Sequence, residues 1–370
     1  MEKINDIIES IANEKGLDST EVKERVITAF LRTAKTLFGE EYEYKAEIDD
    51  DTKNIKLFQT LIVVADNDEN AKFEKQYIAL SKAKKIDPHI EIGDEVNYDI
   101  DIENLGRTAS MILSKELNYH IQALLRDKLY DQYNSKVGAL VASTVTSINQ
   151  EDKTTYFDVD DLKGYMPLKN KIKSNSPELS DNFKVGDVVK AVIKRVHISS
   201  QGINIELSRT SPKFLEALLK SEVPELKDGK IIIQASARIP GQRAKIAISS
   251  ISPSIDPVGA VVGAKGVRIN AVSKELCNEN IDIFEYSATP EIFVTRAMAP
   301  AIITSVKIQD KKATVYVNPS QKSKAIGKSG INVRLAAMLT GYEIELKETE
   351  EKQTSNQEAL KELESLFKGI

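Results

Sequence analysis

Two short loops in the sequence pair glycines at the same spacing, and each loop carries a lysine. They read Gly263-Ala264-Lys265-Gly266 and Gly327-Lys328-Ser329-Gly330. Because glycine has no Cβ, a phosphate backbone can approach such a loop to contact distance. Free N–H groups at the start of a following helix, together with the lysine charge, favour a bound anion. The chemistry indicated is non-covalent binding of the phosphates of a single-stranded nucleic acid.

Regular elements flank both loops in the same order. Apolar periodicity predicts strands at 231–237 and 244–249, a helix on each side of the first loop, and a closing strand at 281–286. The second copy has a strand at 313–317, helices at 320–326 and 333–339, and a strand at 342–346. Gly327 follows Gly263 by 64 residues, which indicates an internal repeat. A G-x-x-G link between helices is the device by which KH domains grip single-stranded RNA, so we predict two tandem type II KH domains.

The candidate RNA-binding residues are the eight loop residues together with Arg268 and Arg334, which lie on the helices predicted to leave the loops. A nucleotide-binding P-loop also ends in Gly-Lys-Ser, as Gly327-Lys328-Ser329 does. That motif needs a glycine where this chain has Lys322, so we reject the P-loop.

Residues 134–208 have an all-β pattern. Strands are predicted at 139–146, 155–159, 188–197 and 203–207, and turn signals occur at Asn149, Lys163-Gly164, Gly186-Asp187 and Gln201-Gly202. About five short strands in this space indicate an S1-type OB-fold barrel. Aromatic and basic residues on it are candidates for base stacking and phosphate contacts: Tyr156, Phe157, Tyr165, Lys194, Arg195 and His197. Because strand faces alternate, some of these must be core, and for each one packing and RNA binding both remain open.

The first 127 residues read as one α+β domain. Asp18 with Glu21 predicts a helix start after Gly16, and that helix is expected to stop at Gly39. Alternating residues predict strands near 42–48, 55–64 and 96–102. A long helix, Met111 to Tyr133, follows and connects this domain to the barrel.

Charge is distributed unevenly. Residues 1–127 hold 17 Lys/Arg and 27 Asp/Glu, a net charge of −10, whereas residues 205–346 hold 19 and 14, a net charge of +5. A bound nucleic acid is therefore expected on the back half. The alternative, that the imbalance is ordinary solvated surface, stays open on charge alone.

Composition excludes several kinds of site. A single cysteine, Cys277, excludes an intramolecular disulfide and a multi-cysteine metal site. No Ser/His/Asp arrangement or supported pair of carboxylates occurs, so we expect no catalytic site, no metal and no cofactor. The sequence shows no signal peptide and no apolar run of membrane-spanning length, so we expect a cytoplasmic protein without a membrane partner.

Several specific strings resemble one known family. They include Leu207-Ser208-Arg209-Thr210, Ile255-Asp256-Pro257-Val258-Gly259-Ala260 and Asn332-Val333-Arg334-Leu335-Ala336-Ala337. The chain resembles the NusA family of bacterial transcription elongation, termination and antitermination factors. Similarity in the first domain is looser and is carried by 83–88 and 106–109. The chain departs from the family pattern at Ile239, Ile331 and Tyr342, and Ile331 weakens the carry-over of a polar base contact there.

The resemblance implies an architecture and partners. The expected domains are an N-terminal RNA polymerase-binding domain at 1–127 with a connecting helix to about 133, an S1-type domain at 134–208, KH domains at 209–286 and 287–347, and a polar tail with a short amphipathic helix at 348–370. The family implies contact with RNA polymerase near its RNA exit channel, binding of nascent single-stranded RNA, cooperation with other Nus factors, and effects on pausing, termination and antitermination. We expect a monomer. A ribosome-associated or RNA-decay-associated RNA-binding protein is the alternative.

Overall fold

The apolar patterns of the sequence form two separate sets of elements. The computed structural model describes residues 4–49, 54–100, 106–174, 177–199 and 202–349. The chain divides into two units, Met1–Gln132 and Tyr133–Ile370. The tail helix expected within 348–370 lies outside the described residues, which end at 349. Within the described ranges no helix is both long enough and apolar enough to cross a membrane.

Two helices open the first unit. α1 spans Ile4–Lys15 and α2 spans Ser19–Phe38. The Asp18 carboxylate accepts from the backbone N–H of Thr20 at 2.9 Å, which satisfies a donor that the helix itself cannot. α2 ends at Gly39. Both ends of this helix confirm the prediction from the capping pattern.

A four-stranded sheet follows the helices. Its central strand pairs antiparallel with two neighbours and parallel with a third. The strands are β1 (Glu43–Ile48), β2 (Ile55–Val64, the central one), β3 (Tyr77–Ala79) and β4 (Glu95–Ile100), and a short helix, α3 (Leu80–Ala83), follows β3.

α4 spans Gly106–Asn134, which confirms the long helix but places its start before the predicted one near Met111. Its first turn contains no large apolar residue and buries the small Ala109, so apolar periodicity does not mark the start of the helix. Further along, Ile121 and Leu124 are buried in one cluster with apolar residues of α1 and α2. This cluster is the core of the helical part of the first unit.

The second unit begins with a closed barrel. Its strands are joined in the order β5-β6-β7-β9-β8. They are β5 (Leu140–Ile148), β6 (Thr155–Val159), β7 (Leu162–Met166), β8 (Val188–Ser199) and β9 (Gly202–Ser208). The small OB-like barrel predicted from the spacing of strands and turns is confirmed.

β7 lies where the sequence predicts a turn at Lys163-Gly164, and that prediction is wrong. The turn lies at Asp160 and Asp161, whose φ angles are 50° and 67°. Gly164 is inside the strand, and a Cβ there would stand 2.6 Å from Cγ2 of Val159. The glycine is needed for close packing of neighbouring strands rather than for a turn.

The first KH domain has the order α-β-β-α-α-β. Its elements are α5 (Pro212–Glu222), a short α6 (Pro224–Lys227), β10 (Ile231–Ile239), β11 (Arg243–Ser250), α7 (Pro257–Val262), α8 (Val267–Glu275) and β12 (Asn280–Glu285). β10 pairs antiparallel with β11, and β12 pairs parallel with β11.

The second KH domain repeats this order and the same strand directions. Its elements are α9 (Pro290–Ala297), β13 (Ile303–Gln309), β14 (Lys312–Val317), α10 (Pro319–Ile326), α11 (Ile331–Thr340) and β15 (Glu343–Glu348). The internal repeat is confirmed. α9 and β13, which apolar periodicity does not predict, complete it.

Arg209 joins the barrel to the first KH domain. Its Nε donates to Asp181 at 3.0 Å and its Nη1 to the Lys190 carbonyl at 2.6 Å, both on the barrel side. Its Nη1 and Nη2 also donate to the side chain and the carbonyl of Glu275, each at 2.7 Å, at the end of α8. The side chain of Arg209 is only 6% exposed, so these contacts are shielded from water.

The two KH domains share a core. Ala237 and Ala247, on β10 and β11, belong to the same buried cluster as apolar residues of α9 and α11. The buried Lys245 donates to Asp282 at 3.1 Å within the first domain and to the Ala299 carbonyl at 2.5 Å in the second. Burial lowers the pKa of Lys245, and Asp282 offsets only part of this effect. The barrel and both KH domains are therefore joined by buried contacts.

Replacing Arg209 with methionine should strongly destabilise this unit. The change leaves the buried Asp181 without its cationic partner, which costs about 3–5 kcal/mol of the free energy of unfolding. The matched control is Arg243→Met, whose pair with Asp282 is partly exposed and should cost about 1 kcal/mol or less. Urea unfolding followed by circular dichroism measures both. Equal losses in the two variants would contradict the role given to Arg209.

Candidate nucleic-acid interface

The first glycine of each loop has a backbone conformation that only glycine adopts readily. Gly263 has φ 74° and ψ 169°, and Gly327 has φ 74° and ψ 172°. Each glycine ends the helix before its loop, because its N–H still donates back to that helix, to Gly259 and Ser323 respectively. The chain therefore turns sharply at the same point in both repeats.

The third and fourth positions of each loop lie in the left-handed region. Lys265 has φ 51° and ψ 26°, and Ser329 has φ 53° and ψ 28°. Gly266 and Gly330 follow at φ 76°, ψ 14° and φ 74°, ψ 11°. The two loops thus have nearly the same backbone although their middle residues differ.

The donors for a phosphate belong to the loops themselves. The first N–H of each following helix, at Val267 and Ile331, donates back into the loop and is not free. The N–H groups of the two middle residues have no acceptor among the described residues, and the side chains at these positions are exposed. These middle residues are Ala264 and Lys265 in the first loop and Lys328 and Ser329 in the second. Four N–H donors without an acceptor among the described residues therefore belong to exposed residues, and two of these residues are lysines.

The space around the glycines differs between positions. A Cβ on Gly263 would stand 2.9 Å from Cγ of Arg268, and one on Gly327 would stand 2.7 Å from Cβ of Asn332. A Cβ on Gly266 would be 3.2 Å from the side-chain nitrogen of Asn270. At Gly330 no described atom lies within 4 Å of the Cβ position. Gly330 is therefore the loop glycine at which a side chain can be added with the least disturbance.

The two candidate arginines have different surroundings. Arg268 donates from Nη1 to Glu225 at 3.0 Å and to the Ala260 carbonyl at 2.6 Å, so its guanidinium is already engaged. Arg334 is exposed on α11 and forms no ion pair with any described residue. Of the two, Arg334 is the one whose charge is available to a ligand.

Three of the candidate residues on the barrel, Tyr165, Lys194 and Arg195, meet around one buried carboxylate. Glu206, on β9, accepts from Lys194 at 3.1 Å and from Arg195 at 2.7 Å. A register shift between Ile193 and Arg195 turns both basic residues to this side. The Tyr165 hydroxyl donates to Glu206 at 3.4 Å.

The rings on this surface form one edge-to-face pair. The centroids of His197 and Tyr165 are 5.7 Å apart with an interplanar angle of 89°. Tyr156, opposite Tyr165 on the neighbouring strand, is exposed, whereas Phe157 is buried in the barrel core against Phe183. Phe157 is thus a core residue, and Tyr156, Tyr165 and His197 are the rings left for stacking.

The neighbours of Glu206 stabilise the ionised form of its carboxyl group. Burial alone would raise the pKa of this carboxyl, because its side chain is 3% exposed. Hydrogen bonds from Asn170, Lys194 and Arg195, together with the charge of Lys194, outweigh burial and lower the pKa to about 2. A fixed anion therefore orients the two basic residues. Across the described parts of the chain, no group of His, Cys, Asp or Glu is arranged to hold a metal ion.

Relatives of known name cover the whole chain. It is 38% identical over 403 aligned positions to the transcription termination/antitermination protein NusA of Helicobacter pylori, and the alignment covers 100% of both chains. The chain belongs to the NusA family. Proteins of the same name from Thermus thermophilus and Bacillus subtilis are 32% and 30% identical, over 98% and 92% of this chain and 98% and 90% of their own lengths.

Sequence models of NusA domains match three regions. The NusA N-terminal domain matches residues 3–127, the NusA-like first KH domain residues 209–286, and the NusA-like second KH domain residues 290–354. Both glycine loops lie inside the KH matches. The resemblance read from the sequence strings is confirmed at the level of the family.

Three buried polar residues that lie beside these surfaces were not predicted from the sequence. Glu206 and Asn170 are buried beside the basic residues of the barrel, and nothing in their strand or turn pattern distinguishes them. Asn332 is buried beside the second loop. It follows Gly327 by the same five residues that separate Arg268 from Gly263, so comparison of the two repeats could have found it.

The stabilisation provided by Glu206 should depend on pH. Its carboxyl titrates ordinarily near 4.5 and in the folded chain near 2, so its contribution is complete above about pH 5 and is lost as the pH falls toward 2. The stability difference between the wild type and Glu206→Gln should therefore shrink by up to about 3 kcal/mol across that range. Urea midpoints measured from pH 7 to pH 2.5 test this. A difference that stays constant with pH would show that the carboxylate is not held in this way.

Proposed function

We propose that this chain is a transcription factor that binds RNA polymerase and nascent single-stranded RNA and thereby modulates pausing, termination and antitermination. The observation that carries this proposal is the repeated loop geometry: at the first, third and fourth loop positions, φ and ψ of the second loop are within 3° of those of the first. Two unrelated turns would not share such a conformation. Both present unsatisfied N–H groups and a lysine to solvent, which suits a phosphate backbone.

The family supports the role in transcription. The three relatives carry the name transcription termination/antitermination protein, and each is matched over most of its length. We propose the same role for this chain, exerted by binding and without catalysis, metal or cofactor. Other Nus factors are the proposed additional partners, and the chain acts as a monomer in the cytoplasm.

The domain division is part of this proposal. Residues 1–127 would bind the polymerase, residues 134–208 form the S1-type domain, and residues 209–286 and 287–347 form the KH domains. The net charges of −10 for residues 1–127 and +5 for 205–346 support a division in which RNA binds the second unit. The buried contacts of Arg209 and Lys245 support one continuous RNA surface across the barrel and both KH domains.

The RNA-contact residues proposed are those of the two loops and Arg334. Tyr165, Lys194, Arg195 and His197 are proposed for the barrel. The ion pairs with Glu206 reduce the net charge that Lys194 and Arg195 offer to phosphates. The guanidinium of Arg268, also a candidate from the sequence, already donates to Glu225 and to the Ala260 carbonyl.

Gly330→Asp should weaken single-stranded RNA binding about tenfold, because it adds a negative charge where phosphates bind. Gly330→Asn is the matched control: it has nearly the same size, it also tolerates the left-handed region, and it carries no charge. We expect it to lose no more than about twofold. Fluorescence anisotropy with a labelled oligonucleotide measures both. Equal affinities for the Asp and Asn variants would contradict a phosphate site at this loop.

Neutralising either loop lysine should flatten the salt dependence of RNA binding. Lys265→Gln and Lys328→Gln should each reduce the slope of log K against log salt by about 0.7, the value for one lost contact to a single strand. Lys23→Gln, an exposed lysine in the first unit, is a control with the same change in net charge. A slope that falls equally in the control would mean that net charge alone sets the binding.

The polymerase half of the proposal is tested by a pausing assay on a hairpin template. The full chain should change the lifetime of the pause, and the chain lacking residues 1–127 should not. The full chain with Gly330→Asp separates RNA binding from polymerase binding. If both variants change the pause lifetime as the full wild-type chain does, the proposal is overturned. Co-purification of the chain with ribosomes instead of polymerase would favour a translational role.

A further inference from the structure

The side chain five residues after the first glycine of each loop packs against that glycine. That residue is Arg268 in the first KH domain and Asn332 in the second. Both side chains fill the space beside the first glycine, at 2.9 Å and 2.7 Å from the Cβ position there. Two chemically different residues thus occupy one structural position in the repeat.

Asn332 makes its contacts entirely inside the protein. Its Nδ2 donates to the carbonyl of Ala325 at 3.0 Å, in the helix before the loop. It also donates to the carbonyl of Met298 at 3.0 Å, just after α9. The residue is 1% exposed, so it does not reach a ligand on the surface. Its contacts tie together the two helices that flank the loop and the end of a third.

Arg268 makes the corresponding contact from a half-buried position. Its Nη1 donates to the carbonyl of Ala260, which lies three residues before Gly263. In the second domain, Nδ2 of Asn332 donates at 3.4 Å to the carbonyl of Lys324, which likewise lies three residues before Gly327. The same Nη1 pairs with Glu225 on α6 at 3.0 Å. Glu225 therefore holds the side chain that holds the first loop.

We infer that Arg268 and Asn332 are positioning residues, which fix the two loops in the phosphate-binding conformation without contacting RNA themselves. Glu225 belongs to the same device in the first domain. The inference rests on the proposed function, since it assigns these residues to loops proposed to bind RNA. It differs from the sequence-based expectation that Arg268 contacts RNA directly.

Glu225→Gln separates the two roles of Arg268 by the sign of its effect. If Arg268 contacted phosphate, removing a carboxylate beside it would free the guanidinium and strengthen RNA binding. If Arg268 positions the loop, losing its partner weakens binding, by about fivefold for a partly exposed pair. The matched control is Glu222→Gln, an exposed carboxylate three residues away that is not paired with Arg268. This control makes the same change in net charge and should leave the affinity unchanged or slightly higher.

Asn332→Leu tests the second loop, because leucine has a similar volume and no donor. We expect RNA affinity to fall about tenfold and the hydrogen-bonded amides of Gly327 and Gly330 to exchange faster with solvent, while those of 335–339 in the middle of α11 keep their protection. Thermal melting checks that the variant is folded. If it is not, the Glu225→Gln measurement alone decides the inference.

The outcomes separate the inference from the function on which it rests. If the wild type does not bind single-stranded RNA, or Gly330→Asp binds as the wild type does, the proposed function fails. If Gly330→Asp weakens binding but Glu225→Gln strengthens it, Arg268 is a direct contact and the inference is overturned for the first loop. If folded Asn332→Leu binds RNA as the wild type does, the inference is overturned for the second.

Discussion

The guanidinium of Arg209 lies buried between the barrel and the first KH domain and donates to acceptors on both. Removing this charge from water is costly, and Asp181 and Glu275 offset the cost only while the two domains keep their present arrangement. Glu275 is the last residue of α8, the helix that leaves the first glycine loop. One buried cation therefore fixes the orientation of that helix relative to the barrel. A hinge at this point would break the hydrogen bonds from Arg209 to the side chain and the carbonyl of Glu275.

Other buried contacts extend this constraint through the second unit. Arg209 lies over the ring of Phe214 at 4.9 Å, and Arg238 lies near the same ring at 5.9 Å while pairing with a fully buried Glu279. Lys245 then links the first KH domain to the second. These side chains are buried. Their effect is to make the spacing between the two glycine loops a property of the fold, as the proposal that one RNA strand contacts both loops requires.

Much of this architecture is predictable because it depends on local patterns. The repeated glycine loops, the caps of α2 and the alternation of the barrel strands each leave a signal within a few residues. The turn predicted at Gly164 is wrong because the glycine is required by the close approach of Val159 on the neighbouring strand. The start of α4 lies before the predicted one because its first turn buries only a small residue, Ala109, and so gives no apolar signal. The roles of Arg209 and Glu206 depend on partners distant in sequence, so residue type alone could not reveal them.

The central claim is that the exposed backbone N–H groups of both loops receive the phosphates of one RNA strand. The most direct measurement follows the amide resonances of Ala264, Lys265, Lys328 and Ser329 during titration of the full chain with a single-stranded oligonucleotide. The account predicts that the four amides shift together, with one apparent affinity, and that the shifts at the second loop disappear in Gly330→Asp. Saturation of the RNA signal with no change at these amides would contradict it.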